Sequence, residues 1–293
     1  MQNLPDIALL LKNRAAEVER ALSDALLPFS DEAAIARLQE AMGYALTGGG
    51  KRMRPFLVLE TAALFGAEDR AMEAAIALEM IHAYSLVHDD LPAMDDAETR
   101  RGKPSVHKQY DEAIAILTGD ALLTESFFVL TSYEGALCRE LCRELSRAAG
   151  THGMVGGQMM DLYPEGETEE HIIALQDRKT GALIECAAAM GALVGGASDE
   201  ETAALRTYAK KLGLAFQIAD DLLDVTQTAE EIGKPAGRDE EMGKATFVGL
   251  LGEDGARARL RQVNDEARAA LGQVERDTSV LEALLDWQAG RTS

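Results

Sequence analysis

The sequence predicts an all-α protein, and three observations carry the prediction. Ala, Leu and Glu dominate, while aromatic residues are only 5% and proline occupies 7 of 293 positions. Apolar residues recur at helical spacing along most of the chain. No stretch of useful length alternates apolar with polar as a half-buried strand would, and no internal repeat is evident.

The length allows one large domain or two ordinary ones. A formal charge of −21 at pH 7 argues against nucleic acid and against anionic membrane surfaces as partners. There is no apolar run of 18 or more residues, so stable membrane insertion is not expected. The N-terminus, MQNLPDIALLLKNRAAEVER, lacks the basic segment and small-residue cleavage site of a secretory signal, and the expected location is cytoplasmic. Cys138 and Cys142 lie four apart on an expected helix with no histidine nearby, and Cys186 stands alone. Neither a zinc site nor a disulfide framework is indicated.

Taken in order, residues 4–27 and 31–46 read as two amphipathic helices separated by Pro28-Phe29-Ser30, with Ser30 or Asp31 placed to cap the second. Next comes TGGGKRMRP, from Thr47 to Pro55. Its three consecutive glycines free the backbone for a sharp turn or a close approach to a ligand, and Pro55 suits the first turn of a following helix. This is not a Walker loop: Ala45 stands where the first glycine belongs, Arg52 follows the lysine, and no strand precedes. What it offers is Lys51, Arg52 and Arg54 at a helix N-terminus, a place suited to a phosphate.

From Ala71 to His88, Ile76, Met80, Ala83 and Val87 predict a mostly buried helix. Its end runs into Asp89, Asp90, Asp95, Asp96 and Glu98, beside Arg100, Arg101 and Lys103. Carboxylates at a helix C-terminus oppose the macrodipole, so compensation is required. Pro92 should break or bulge the helix, letting Asp89 and Asp95, which diverge on a straight helix, reach one ion. Clustered carboxylates with room for water suit a hard octahedral cation such as Mg²⁺, which usually also holds substrate phosphate.

Glu112 to Tyr133 predicts a largely buried helix, with Gly119 at a close contact and Asp120 as a capped or paired core acid, a functional role being the alternative. Residues 150–161, mixing Gly and Met with Gln158 and Asp161, fit a pocket wall or plain helix packing. A helix over 171–195 carries Arg178-Lys179-Thr180-Gly181, which is costly to bury unless these groups meet something polar. Thr202 to Val225 holds the second acid cluster. There Asp220 and Asp224 share a helix face, with Gln217 on the same side, and like charges four apart call for a bound cation. A Gly-punctuated basic loop from Gly233-Lys234 to Gly243-Lys244 precedes helices near 245–251, 253–272 and 278–289.

Two acid clusters facing across a bundle would hold several Mg²⁺ ions around one diphosphate. The basic segments 51–54, 100–103, 178–179 and 234–244 would neutralise that group and grip a second one. The ordered landmarks are GGGKRMRP, HAYSLVHDDLPAMDDAETRRGKPSVH, Gly119-Asp120, GGQMMDL, Lys179-Thr180-Gly181, FQIADDLLD and the two Gly-Lys pairs. With them, nearly the whole chain resembles a trans-isoprenyl diphosphate synthase of the short-chain class.

That resemblance implies one domain over residues 1–293, a bundle of helices around a central apolar cavity (the isoprenoid synthase fold), and a homodimer. It implies Mg²⁺, three ions per active site, held by Asp89, Asp90, Asp95, Asp220, Asp221 and Asp224. Lys51, Arg54, His82 and Arg101 are then the ligands of isopentenyl diphosphate. Arg100, Lys179, Thr180, Gln217, Lys234 and Lys244 meet the allylic diphosphate or its metals. The catalytic set is Asp89, Asp90, Asp95, Arg100, Lys179, Asp220, Asp221 and Lys234, with no protein nucleophile. Tyr84, roughly 7.5 Å before Asp89 at 1.5 Å per helical residue, and the small Ser85 beside it are the chain-length residues. They imply (E,E)-farnesyl diphosphate as product, with geranylgeranyl diphosphate as the alternative.

Two departures stand out. Ala97-Glu98-Thr99 replaces a longer Asp run after Asp96, and the C-terminus offers only Arg291 as a basic cover. A terpene cyclase fits less well, since its second metal motif has a different pattern. A non-catalytic partner subunit typically loses one aspartate motif, and a calcium buffer would carry an EF-hand loop.

Overall fold

The computed structural model describes residues 6–26, 32–47, 49–164, 166, 168–226 and 246–290. The chain among them is all-α: α1 (Ile7–Ala25), α2 (Ala33–Leu46), α3 (Met53–Ala63), α4 (Met72–Asp89), α5 (Val106–Gln109), α6 (Glu112–Leu130), α7 (Gly135–Ala149), α8 (Met154–Leu162), α9 (Glu169–Gln176), α10 (Ala182–Gly195), α11 (Asp199–Thr226), α12 (Phe247–Leu271) and α13 (Ser279–Ala289). Helix starts follow local chemistry. The Asp111 carboxylate accepts from the Ile114 amide at 2.8 Å, and Thr246 Oγ1 accepts from the Gly249 amide at 3.0 Å. The caps expected at Ser30 or Asp31 lie outside the described residues.

By contacts the chain divides into two compact units. One comprises residues 8–143 with 193–195, and the other 1–7, 144–192 and 196–293. In the first unit, Val87 of α4, Val106 of α5 and Ala115 of α6 form a buried cluster against Tyr44, Ala45, Leu91 and Tyr110. In the second, α11 presents Leu214, Ala215, Ile218, Ala219 and Leu222, a stripe of helical period, to Phe247, Ala256, Leu260 and Val263 of α12. Each fully buried Leu or Phe contributes about 1.5–3 kcal/mol.

Three features differ from expectation. Thr99–Arg100 (β1) and Lys103–Pro104 (β2) pair antiparallel in a hairpin too short to leave an alternating pattern. Its turn residues Arg101 and Gly102 both have positive φ (53° and 75°), the geometry of a tight hairpin turn. The helix expected over 171–195 is interrupted by a π-helical turn, Asp177–Gly181. The break expected between the helices on either side of residue 252 is present, the backbone leaving helical geometry at Gly252 (φ 69°, ψ 169°) within α12.

The third difference is α6, which is not largely buried. Ala115, Thr118, Gly119, Leu122, Ser126 and Leu130 turn inward while Ile116, Leu117 and Phe128 are exposed. The helix is long and apolar enough to cross a membrane by length and composition, although no run of 18 apolar residues occurs. The close contact expected at Gly119 is with His88, whose ring a methyl group there would overlap; His88 Nε2 lies 3.1 Å from the Ile116 carbonyl. Asp120 is an exposed acid, 4.0 Å from His88 Nε2, rather than a buried one.

Candidate active site

The first aspartate motif is built where α4 stops. The helix ends at Asp89 with Asp90 as its C-cap, so Pro92 lies in a turn beyond the helix instead of inside a bulge. The chain then folds back on itself. The Asp95 amide donates to the Asp89 carbonyl at 2.9 Å and the Ala97 amide to the Asp90 carbonyl at 3.1 Å, which sets Asp95 beside Asp89.

Asp90 behaves differently from its neighbours. It is 2% exposed, and Arg100 from the hairpin grips it with Nε at 3.1 and 3.2 Å from the two oxygens and Nη2 at 2.5 Å from Oδ1. A forked guanidinium on a buried carboxylate is a strong, directional pair. Asp90, expected among the metal ligands, thus holds Arg100, whose own charge is further favoured by Asp89 and Asp95.

The basic side of this unit is assembled on the same hairpin. Arg101 lays its guanidinium against the Gly49–Gly50 backbone, with Nη1 donating to the Gly49 carbonyl at 2.5 Å; a Cβ at Gly50 would come within 3.2 Å of it. Gly50 also has φ 124°, so both space and backbone demand glycine. Lys51 follows, exposed, and Arg54 lies in the first turn of α3 with a buried Nε that has no hydrogen-bond partner. Burial and the charge of Arg101 lower the Arg54 pKa. His82 on α4 is held neutral: burial, then the charges of Arg54, Arg101, Arg52 and Arg100, push its pKa well below the ordinary value. This crowd of positive charge around a half-buried imidazole suits an anion.

Arg52, expected to share in phosphate binding, turns inward to Glu79 and the carbonyl of Leu46 instead. Tyr84 is buried and meets the His88 ring edge-on at 5.8 Å, and Ser85 Oγ donates to the His82 carbonyl at 2.9 Å. A Ser-His-Asp grouping that the sequence did not suggest is also present. Ser105 Oγ lies 3.0 Å from His107 Nδ1, and His107 Nε2 is 3.7 Å from Asp96. Ser105 is 1% exposed, so the group ties the loop to α5 and does not present a nucleophile.

In the other unit, α11 carries Gln217, Asp220, Asp221 and Asp224. Gln217 Nε2 donates to Asp221 Oδ1 at 3.2 Å. The buried Asp221 also accepts from the Phe247 amide at 2.8 Å, so this carboxylate, expected as a metal ligand, caps the start of α12. The π-helical turn delivers Lys179, whose Nζ pairs with Asp161, and Thr180, whose Oγ1 lies 3.4 Å from Gln176 Oε1. Gly157 of α8 packs directly on the Lys179 backbone, where a side chain would collide. Lys234 and Lys244 lie outside the described residues.

Residues 35–285 match the polyprenyl synthetase family. The chain belongs to that family. It is 41% identical over 278 residues to a chloroplastic geranylgeranyl pyrophosphate synthase of Catharanthus roseus, covering 92% of this chain and 77% of that protein. It is 42% identical to a dimethylallyltranstransferase of Fischerella ambigua, covering 99% of this chain and 84% of that one. The solved structure of an FPP/GFPP synthase from Zymomonas mobilis superposes with a TM-score of 0.85 at 37% identity, covering 96% of this chain and 98% of that one. The fold is therefore the isoprenoid synthase fold, and this polyprenyl synthetase is a prenyltransferase.

Magnesium is the ion the family pattern implies, and the donors fit it. Among the described residues no three His, Cys, Asp or Glu side chains already converge on a metal. Mg²⁺ does not require that; it is typically held by one or two carboxylates, with water and substrate phosphate completing the octahedron. Asp89 with Asp95, and Asp220 with Asp224, supply hard oxygens of that kind, while Asp90 and Asp221 are taken by protein donors.

Sequence reasoning missed Glu79, Phe247, the Asp96–Ser105–His107 group and the pairing of Asp161 with Lys179. Glu79 left a signal, being a carboxylate inside the apolar run from Ala74 to Ile81, and so did Lys179, a charge within a helix expected to be buried.

Because the native state disfavours the charged form of His82, the unfolded chain binds the extra proton. The stability that depends on neutral His82 is complete above about pH 6.5 and is lost as pH falls below it. Urea unfolding midpoints of wild type and His82→Gln, taken between about pH 7.5 and 5, should show a shallower acid slope in the variant. Parallel slopes would mean His82 is not buried neutral.

Proposed function

We propose that this polyprenyl synthetase condenses isopentenyl diphosphate with dimethylallyl or geranyl diphosphate to give (E,E)-farnesyl diphosphate and pyrophosphate. The observation that carries this reading is the order of charge in the first unit: Asp89 and Asp95, then the Asp90–Arg100 fork, then Arg101, Arg54 and neutral His82. One end suits a metal-bound diphosphate and the other a diphosphate bound by cations alone, as two different diphosphate substrates require.

Arg54, Arg101, Lys51 and His82 bind and orient the isopentenyl group. Arg100 is the diphosphate-binding group beside the aspartates of the first unit, and Lys179, Thr180 and Gln217 are those of the second. Magnesium, in three ions on the aspartate motifs, would stabilise the charge growing on the departing pyrophosphate. The allylic C–O bond breaks, the isopentenyl double bond forms the new C–C bond, and a proton passes from the product cation to pyrophosphate. Apolar side chains along α4 exclude water from the cation.

The buried Tyr84, five residues before Asp89, supports a floor at fifteen carbons. The geranylgeranyl reading has its own support in relatives such as the Catharanthus roseus enzyme, whose name states the longer product. We also propose a homodimer: Ile116, Leu117 and Phe128 of α6 leave an apolar face that a second copy would cover.

In an assay of purified protein with Mg²⁺, labelled isopentenyl diphosphate and each allylic primer, Asp89→Ala and Asp220→Ala should each lose at least about 100-fold in kcat. Primer-independent incorporation, or variants as active as wild type, would refute the reaction. Chromatography of the hydrolysed prenols should show C15 alcohol from wild type and longer products from Tyr84→Ala. C20 from wild type selects the geranylgeranyl reading. Sedimentation should show a dimer for wild type and a smaller species for Phe128→Asp, whereas a wild-type monomer removes the dimer.

A further inference from the structure

Arg52 stands between Lys51 and Arg54, in the loop where sequence alone places three phosphate ligands, yet its side chain is 1% exposed. Nη1 donates to Glu79 Oε1 at 2.5 Å, and Nη2 donates to the carbonyl of Leu46, the last residue of α2, with Glu19 of α1 3.4 Å away. Only Nε lacks a partner, and it too is buried. Both terminal nitrogens are therefore occupied by protein acceptors.

The backbone at Arg52 is equally specific. Its φ of 48° and ψ of 41° put a residue with a Cβ in the left-handed region, a strained conformation that persists only where the surroundings enforce it. The Arg52 carbonyl accepts from the Phe56 amide at 2.9 Å, so the same residue starts α3. Reversing the chain there sends Lys51 into solvent on one side and Arg54 into the first turn of α3 on the other. Glu79, 2% exposed on α4, precedes His82 by one helical turn. Its charge also favours the ionised forms of Arg54 and Arg101.

We propose that Arg52, through its buried pair with Glu79, is a positioning residue for the isopentenyl diphosphate site: it fixes the left-handed turn that aims Lys51 and Arg54 at the diphosphate without touching substrate itself. The inference rests on the function proposed above and adds to it a residue that binds nothing but decides where the binding groups point. A buried ion pair is weak evidence of stability, since apolar replacements of both partners are often neutral. The effect of this pair is on geometry.

The experiment compares wild type, Arg52→Met and the double variant Arg52→Met/Glu79→Met. Removing Arg52 alone leaves Glu79 buried without its guanidinium and lowers the unfolding midpoint; the double variant restores it. Calorimetric binding of isopentenyl diphosphate, without allylic partner, should weaken about 10- to 100-fold in both variants. In turnover, KM for isopentenyl diphosphate should rise equally, with KM for geranyl diphosphate and its Mg²⁺ dependence unchanged.

Wild-type isopentenyl affinity in the restored double variant overturns the proposal, because the pair would then matter only for stability. Equal losses for both substrates overturn it too, as does a wild type that binds no isopentenyl diphosphate. Wild type that binds it but performs no prenyl transfer refutes the proposed reaction alone, and the binding comparison still decides the role of Arg52.

Discussion

The fork of Arg100 on Asp90 is the contact on which the rest of the first unit depends. Asp90 caps the C-terminus of α4, where the helix dipole disfavours an anion and burial disfavours it further. A bidentate cation answers both penalties, and since Arg100 begins a two-residue hairpin, it fixes that hairpin against the end of α4. Arg101, next in the chain, is then carried onto the Gly49–Gly50 backbone. One ion pair thereby relates the Asp89–Asp95 carboxylates to the cationic loop that starts α3. The first unit separates opposite charges over a few residues, with Asp90 held by Arg100 and Arg101 held by the Gly49 carbonyl.

The second unit uses a different device for a similar end. Lys179 and Thr180 project from a turn wider than an α-helix, kept in place by Asp161 and by the bare backbone of Gly157. Asp221 is spent on the Phe247 amide, which joins the acidic end of α11 to the start of α12. In both motifs the second aspartate is buried and bonded to protein, and the aspartates flanking it are more open. A DD pair is thus two unlike residues: the second keeps the local backbone in place, and the first is less buried.

Much of this was legible in the sequence because helices announce themselves by period. The stripe on α11, the breaks at Gly252 and after Asp89, and the need for glycine before Lys51 follow from local rules. What stayed hidden was pairing at long range. Nothing local says that Arg52 would choose Glu79, 27 residues away, over a phosphate, or that Asp221 would accept from an amide 26 residues on. The burial of α6 was overestimated for a related reason: composition reports that a helix is apolar on all sides without saying which side this chain covers. The hairpin escaped because two-residue strands carry no period at all.

The π-helical turn at Asp177–Gly181 has a consequence for how the enzyme can change over evolutionary time. Such a turn amounts to one residue more than a regular helix holds, so deleting one residue from it would let α9 run smoothly into α10 with a full set of α-helical hydrogen bonds. The resulting helix would be more regular, yet every side chain after the deletion would swing by about 100° relative to those before it, taking Lys179 away from Asp161. Drift toward a sounder helix is therefore drift away from the Lys179–Asp161 pair and from the seat that Gly157 gives the Lys179 backbone.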